Sequence, residues 1–188
     1  MAHSGYTQDM QIRLTPDQVL KLALIMAPLL YALAVFYTRA ARRRIVGSLC
    51  GAVTYAVLNL AADRAAVALG LWSFPAFPSS EPSPLLYLPI GLIYGGAVGL
   101  VGWRIIRRWH ARGFLVFIAA WGVIGTTRDI ISAAATAGSG LLVFAPGVGP
   151  HLADFFLWAA CAAAAQTAMR LVAGPYGADS LAGAPTTA

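Results

Sequence analysis

The sequence predicts an all-α integral membrane protein, a bundle of about five transmembrane helices with its N-terminus outside and its C-terminus cytoplasmic. Three observations predict it. Of the 188 residues, 59% are hydrophobic and 11% charged, where soluble domains carry roughly 45–50% and about 25%; mean hydropathy is +0.71. Apolar runs long enough to cross a bilayer, about 20 residues at about 1.5 Å each, recur along the chain. Positive charge gathers in two short clusters, Arg39, Arg42, Arg43 and Arg44, then Arg104, Arg107, Arg108 and Arg112. Each cluster separates two apolar runs, as cytoplasmic loops do. This composition excludes an ordinary soluble enzyme. The net charge of +6 is explained by arginines anchored beside anionic headgroups, and no nucleic-acid partner is expected.

The spans are expected at about 18–38, 45–71, 85–103, 114–136 and 152–172. Thr15-Pro16-Asp17 reads as the start of the first, with Thr15 as N-cap and Pro16 in the first turn. Asp9 and Asp17 balance Arg13 and Lys21 ahead of it, so it lacks the positive leader of a signal peptide and reads as a membrane helix. The arginine clusters place two connections inside; those at 72–84 and 137–151 then face outward, and neither contains Lys or Arg. Residues 1–17 form an extracytoplasmic segment, 18–173 one transmembrane domain, and 174–188 a disordered cytoplasmic tail. The expected location is the cell membrane, multi-pass.

Pro75, Pro78, Pro82 and Pro84 keep the first outer connection from being a helix, and Phe74 and Phe77 suit the membrane–water interface. The second holds Leu141-Leu142-Val143-Phe144 among glycines, a stretch that either lies on the bundle, dips into the headgroups or lids a cavity. The third span carries Gly91, Gly95 and Gly99 at four-residue spacing, which lets helices approach closely in lipid. That face packs within the bundle, or could equally seat a homodimer or a membrane partner. Cys50 and Cys161 both fall inside spans and read as small buried hydrophobes. His3, His110 and His151 lie on different sides in tail and loops, so no metal site is expected, and no motif implies a cofactor.

The informative residues are the polar ones that interrupt the spans, because ionisable groups in a membrane face a bundle interior or a wet cavity. Ile45 to Ala62 is an uncharged run of about 18 residues, about 27 Å, which brings Asp63 and Arg64 close to the outer interface. Arg128 stands about 15 residues, about 22 Å, beyond Arg112. Asp154 begins the fifth span from the same side. Asn59, Asp63, Arg64, Arg128, Asp129 and Asp154 therefore converge on the outer third of the membrane. Either they pair across helices and fix the bundle's register, or they line a polar pocket with a carboxyl held for proton transfer. Tyr55, Asn59 and Asp63 share one helical face. Tyr31, Tyr94, Trp121 and Trp158 lie well inside their spans, as core or as the lining for a long apolar ligand.

The stretch Asn59-Leu60-Ala61-Ala62-Asp63-Arg64, with Leu69-Gly70-Leu71-Trp72-Ser73-Phe74-Pro75 after it, is similar to the second-helix region of small membrane carotenoid (lycopene) cyclase domains. Its Asn-x3-acid step also resembles one in membrane-bound terpene cyclases. The resemblance covers about 20 residues. It implies Asp63 as proton donor to an isoprenoid double bond and Asn59 as its positioning partner. The acidic motif that the carotenoid cyclases carry entering the next helix is replaced here by Pro84-Leu85-Leu86-Tyr87-Leu88, without a carboxylate. The expected function is a membrane-embedded enzyme acting on an isoprenoid or similar lipid by acid–base chemistry. Asp63, Asn59, Asp129 and Asp154 would be catalytic, and Tyr55, Arg64, Tyr94, Trp121, Arg128 and Trp158 would bind substrate. The alternatives are a non-catalytic subunit of a larger membrane complex and a small transporter.

Overall fold

In a computed structural model, residues 15–77, 82–136 and 140–177 are described. The expected N-terminal segment before Thr15, and the tail beyond residue 177, lie outside them. Four stretches among the described residues are long and apolar enough to cross a membrane: Pro16–Thr38 (α1), Arg42–Ala68 (α2), Pro84–Ala135 and Gly149–Ala173 (α5). The third comprises a 3-10 turn Pro84–Leu86, a short helix Tyr87–Gly91 (α3), a π-helical segment Leu92–Ala97, and a helix Val98–Ala135 (α4). It is not straight. His110 adopts φ 52°, ψ −131° inside α4, outside any helical well, and the chain doubles back there. A Cβ at Gly113 would lie 2.8 Å from the Ile105 carbonyl oxygen, and one at Gly102 2.6 Å from the Phe117 ring. The two arms, 84–109 and 111–135, are therefore antiparallel neighbours, and the arginines 104–112 surround their bend.

Local chemistry sets the remaining ends. Thr15 caps α1 through a reciprocal box: its Oγ1 accepts the Gln18 backbone N–H at 3.3 Å, and Gln18 Oε1 accepts the Thr15 N–H at 2.9 Å. Two orphan donors of the first turn are thereby satisfied. Arg39 closes α1 in the left-handed conformation, φ 52°, ψ 45°, so α2 begins after a very short turn, while α1 lies against α3, the π segment and α4. Tyr31 ties α1 to α2, its hydroxyl 2.6 Å from Ser48 Oγ and 3.1 Å from the Ile45 carbonyl oxygen to which it donates.

Glycine governs how closely the helices approach. A Cβ at Gly95 would stand 2.6 Å from both the Gly51 carbonyl oxygen and Tyr55 Cβ, one at Gly51 2.9 Å from the Ala165 carbonyl, and one at Gly47 2.8 Å from Ala173 Cβ. No side chain fits at such distances, so α2 lies backbone-to-backbone with the π segment on one flank and α5 on another. The face Gly91, Gly95, Gly99 is buried by α2 and α5 of the same chain. The close approach that small residues permit in lipid is used within the bundle.

The end of the bundle holding the arginine clusters corrects two expectations. Arg44 is not a headgroup anchor: it is fully buried, its guanidinium donates to the carbonyls of Gly174 (3.2 Å) and Pro175 (3.1 Å), and it lies over the rings of Trp103 (5.2 Å) and Tyr176 (5.5 Å). A cation at a helix C-terminus meets unsatisfied carbonyls and the negative end of the dipole, which is why α5 draws it in. Order also extends past Gly174, where a tail was expected to begin. Tyr176 donates its hydroxyl to the Gln166 carbonyl at 2.9 Å, and its own carbonyl accepts the Trp103 indole N–H at 3.2 Å. Burial pushes the Tyr176 phenol above its usual range, so it remains a donor at neutral pH.

Candidate functional site: a capped cavity with three carboxylates

At the opposite end, the connection after α2 and the one before α5 meet. Trp72–Ser73 (β1) and Val143–Phe144 (β2) pair antiparallel, Trp72 opposite Phe144 and Ser73 opposite Val143. Two further backbone bonds flank them, Ala145 N–H to the Leu71 carbonyl and Ala76 N–H to the Gly140 carbonyl, both 2.9 Å. Gly70 and Gly140, at φ +68° and +67°, supply the left-handed turns that admit the ribbon. The rings of Trp72 and Phe144 meet edge-on at 6.0 Å. The apolar stretch 141–144 thus settles as a cap: Leu141, Leu142 and Phe144 all face the space beneath it.

That space is a cavity of about 290 Å³, near the lower bound of ligand pockets at about 300 Å³. Its lining brings together six of the ten residues singled out in the sequence: Asn59 and Asp63 from α2, Arg128 and Asp129 from α4, Asp154 and Trp158 from α5. Val19 of α1, Phe74, Phe77, Leu86, Ile90 and Leu157 make much of the remaining wall apolar. The depth arithmetic that placed the three acids at one level is consistent with this arrangement.

Three carboxylates meet three different environments. Asp63 accepts the Tyr87 hydroxyl at 2.8 Å on one oxygen and the Trp72 indole N–H at 3.2 Å on the other. Asp129, 9% exposed, accepts the Arg128 guanidinium at 2.7 Å and the Trp158 indole N–H at 2.8 Å. Asp154 is 3% exposed, and its Oδ2 has no hydrogen-bond partner among the described residues. A buried polar atom in this state calls for an explanation. Among the described residues no group of three His, Cys, Asp or Glu side chains could hold a metal ion.

The pairing differs from the cross-helix Asp–Arg register locks that form one of the two readings of these residues. Arg128 binds the carboxylate next to it in its own helix, and Asp63 is held by Trp72 and Tyr87 rather than by Asn59 or an arginine. The reason is reach: indole and phenol donors from the loop and α3 already satisfy both oxygens of Asp63. Arg64 is exposed and is not among the lining residues. Tyr55, Tyr94 and Trp121 do not line the cavity either; with Trp158 they form an aromatic layer adjoining it, centroids 5.0–6.3 Å apart. Arg128 sits 5.8 Å from the ring centres of Tyr94 and Trp158, a cation–π geometry.

Sequence reasoning missed Trp72 and Tyr87 as functional partners. Trp72 lay within the Leu69–Pro75 stretch already noted, and its polar N–H near a helix-end acid was the available signal. Gln166 was missed as well: fully buried, it donates to the Gly99 carbonyl at 2.8 Å, and a lone amide after an alanine run was its signature. Compared with protein-family models, curated proteins and solved structures, the chain matches none of them.

Proposed function

We propose that the chain is an integral membrane protein that crosses the bilayer five times, the doubled-back arms 84–109 and 111–135 each counting as one span. Its N-terminus lies outside and its C-terminus in the cytoplasm. In this reading the capped cavity opens in the outer leaflet, binds an isoprenoid or similar lipid, and performs acid–base chemistry on it. One observation carries the reading: a mostly apolar cavity lined by carboxylates from three helices, where buried ionisable groups in a membrane mark function.

Asp63 is the residue that exchanges the proton. Trp72 and Tyr87 fix its carboxyl against the cavity, and such positioning is what general acid–base catalysis requires. A proton added at one carbon of a double bond and another lost from a neighbouring carbon leave the lipid's composition unchanged. Isomerisation or ring closure on these terms uses no oxidant or reductant. Asp129, tied to Arg128, is the fixed charge of the site, and Asn59 lines the wall one helical turn from Asp63.

The test is lipid extraction from the purified protein followed by turnover in deuterated water. A retained prenyl lipid that gains deuterium with the wild-type chain, and does so at least about 10²-fold more slowly with Asp63→Asn, supports the reading. A co-purifying protein with no retained lipid would make the chain a non-catalytic subunit instead. For the orientation, a cysteine in place of Arg43 should react with an impermeant reagent only after the membrane is opened. Labelling of intact cells would reverse the topology.

A further inference from the structure

The cavity's charge balance limits what can occupy it. Among its described lining residues are three carboxylates and one guanidinium, and Arg128 is already engaged by Asp129 at 2.7 Å. A phosphate or diphosphate brought into this space would face two further acids with no cation left to meet it. Like charges in a poorly hydrated site repel strongly. Asp154 adds a requirement of the opposite kind. Its Oδ2 lies buried, with no hydrogen-bond partner among the described residues, and leaving such an acceptor unmatched is unfavourable in a way that a bound donor would relieve.

We propose that the ligand is an apolar chain ending in a neutral or cationic hydrogen-bond donor, a hydroxyl or an ammonium, which donates to Oδ2 of Asp154, and that chains ending in phosphate or diphosphate are refused. The inference rests on the reading of the cavity as a site for an isoprenoid-like chain and names the end group of that chain. The apolar body lies along Ile90, Leu86, Phe144 and Leu157, and the donor reaches Asp154 at the start of α5. Asp63 remains free to act on the chain itself. Asp154 thereby sets the direction in which the chain lies.

The experiment compares four ten-carbon probes on the purified full chain in micelles: geraniol, geranylamine, the hydrocarbon myrcene and geranyl diphosphate. Trp72 and Trp158 on the cavity wall supply the fluorescence readout. Geraniol or geranylamine should bind about tenfold or more tighter than myrcene, the worth of a hydrogen bond to a charged group, and geranyl diphosphate should bind weakest. A stronger amine identifies an ionised Asp154, and a stronger alcohol a protonated one; both support the proposal. Asp154→Leu should erase the preference for geraniol over myrcene while myrcene still binds. Should that variant fail to fold, the order of the four probes on the wild-type chain decides alone. Equal binding of geraniol and myrcene, or tightest binding of the diphosphate, overturns the end-group assignment and leaves the acid–base reading standing. Failure of every probe overturns both.

Discussion

The two ends of the bundle bury charge in opposite ways. At the arginine end, Arg44 is sealed among Trp103, Tyr176 and the last carbonyls of α5, and the helices around it meet at glycines. At the cavity end, Asp63, Asp129 and Asp154 face a shared space beneath a two-stranded cap. A buried charge enclosed by rings and helix-end carbonyls specifies structure. One that faces a space, with an oxygen unmatched, is available to a ligand.

Removing Arg44 is the strongest way to break this contrast. Arg44→Ala forfeits two charge-assisted hydrogen bonds and the stacking on two rings, and should cost about 3–5 kcal/mol. Reversible unfolding in mixed micelles measures it; a loss below about 1 kcal/mol would make Arg44 equivalent to a surface charge. Next comes Gly95→Ala, whose Cβ would press on Gly51 and Tyr55, for about 1–3 kcal/mol of overpacking. Gly149→Ala, with no atom within 4 Å of the added methyl, should stabilise by about 0.4–1 kcal/mol. The same unfolding assay reads both, and equal signs would refute close packing as the cause.

Smaller effects sharpen the cavity end. Tyr87→Phe deletes one donor to Asp63 and should cost about 0.5–1.5 kcal/mol, with the Trp72 bond retained. Asp154→Leu should leave stability unchanged or raise it, because it removes a buried oxygen that has no hydrogen-bond partner among the described residues. A clear destabilisation would mean that Asp154 serves the fold as Arg44 does.

Much of this was legible in the sequence. Thr15 and Pro16 announce the start of α1, and the five apolar runs correspond to α1, α2, the two arms about His110 and α5 within a few residues. Counting residues at the helical rise brings Asp63, Asp129 and Asp154 toward one another, and they line one cavity. The fate of Arg44 was not legible, because nothing distinguishes it from Arg42 and Arg43 locally. Only the arrival of α5's C-terminus selects it. Likewise Trp72 finds Asp63 through a loop conformation fixed by a ribbon partner some seventy residues further along, and Tyr87 reaches it from the start of α3. The π segment at 92–97 escapes period-based reading altogether, since its glycines permit several helical windings and the packing against α2 chooses among them.

The packing of α2 against α5 carries a consequence for how the protein comes into being. Chains are synthesised N-terminus first, and α2 emerges about a hundred residues before the helix that covers Gly47 and Gly51. Until α5 arrives, that glycine face is bare, Arg44 lacks the carbonyls of Gly174 and Pro175, and Asp129 lacks its Trp158 donor. The strand Val143–Phe144 that caps the cavity is likewise made late. Both ends of the molecule are therefore completed by the same final helix. A nascent chain halted before residue 149 holds two carboxylates and a glycine seam with nothing to close over them.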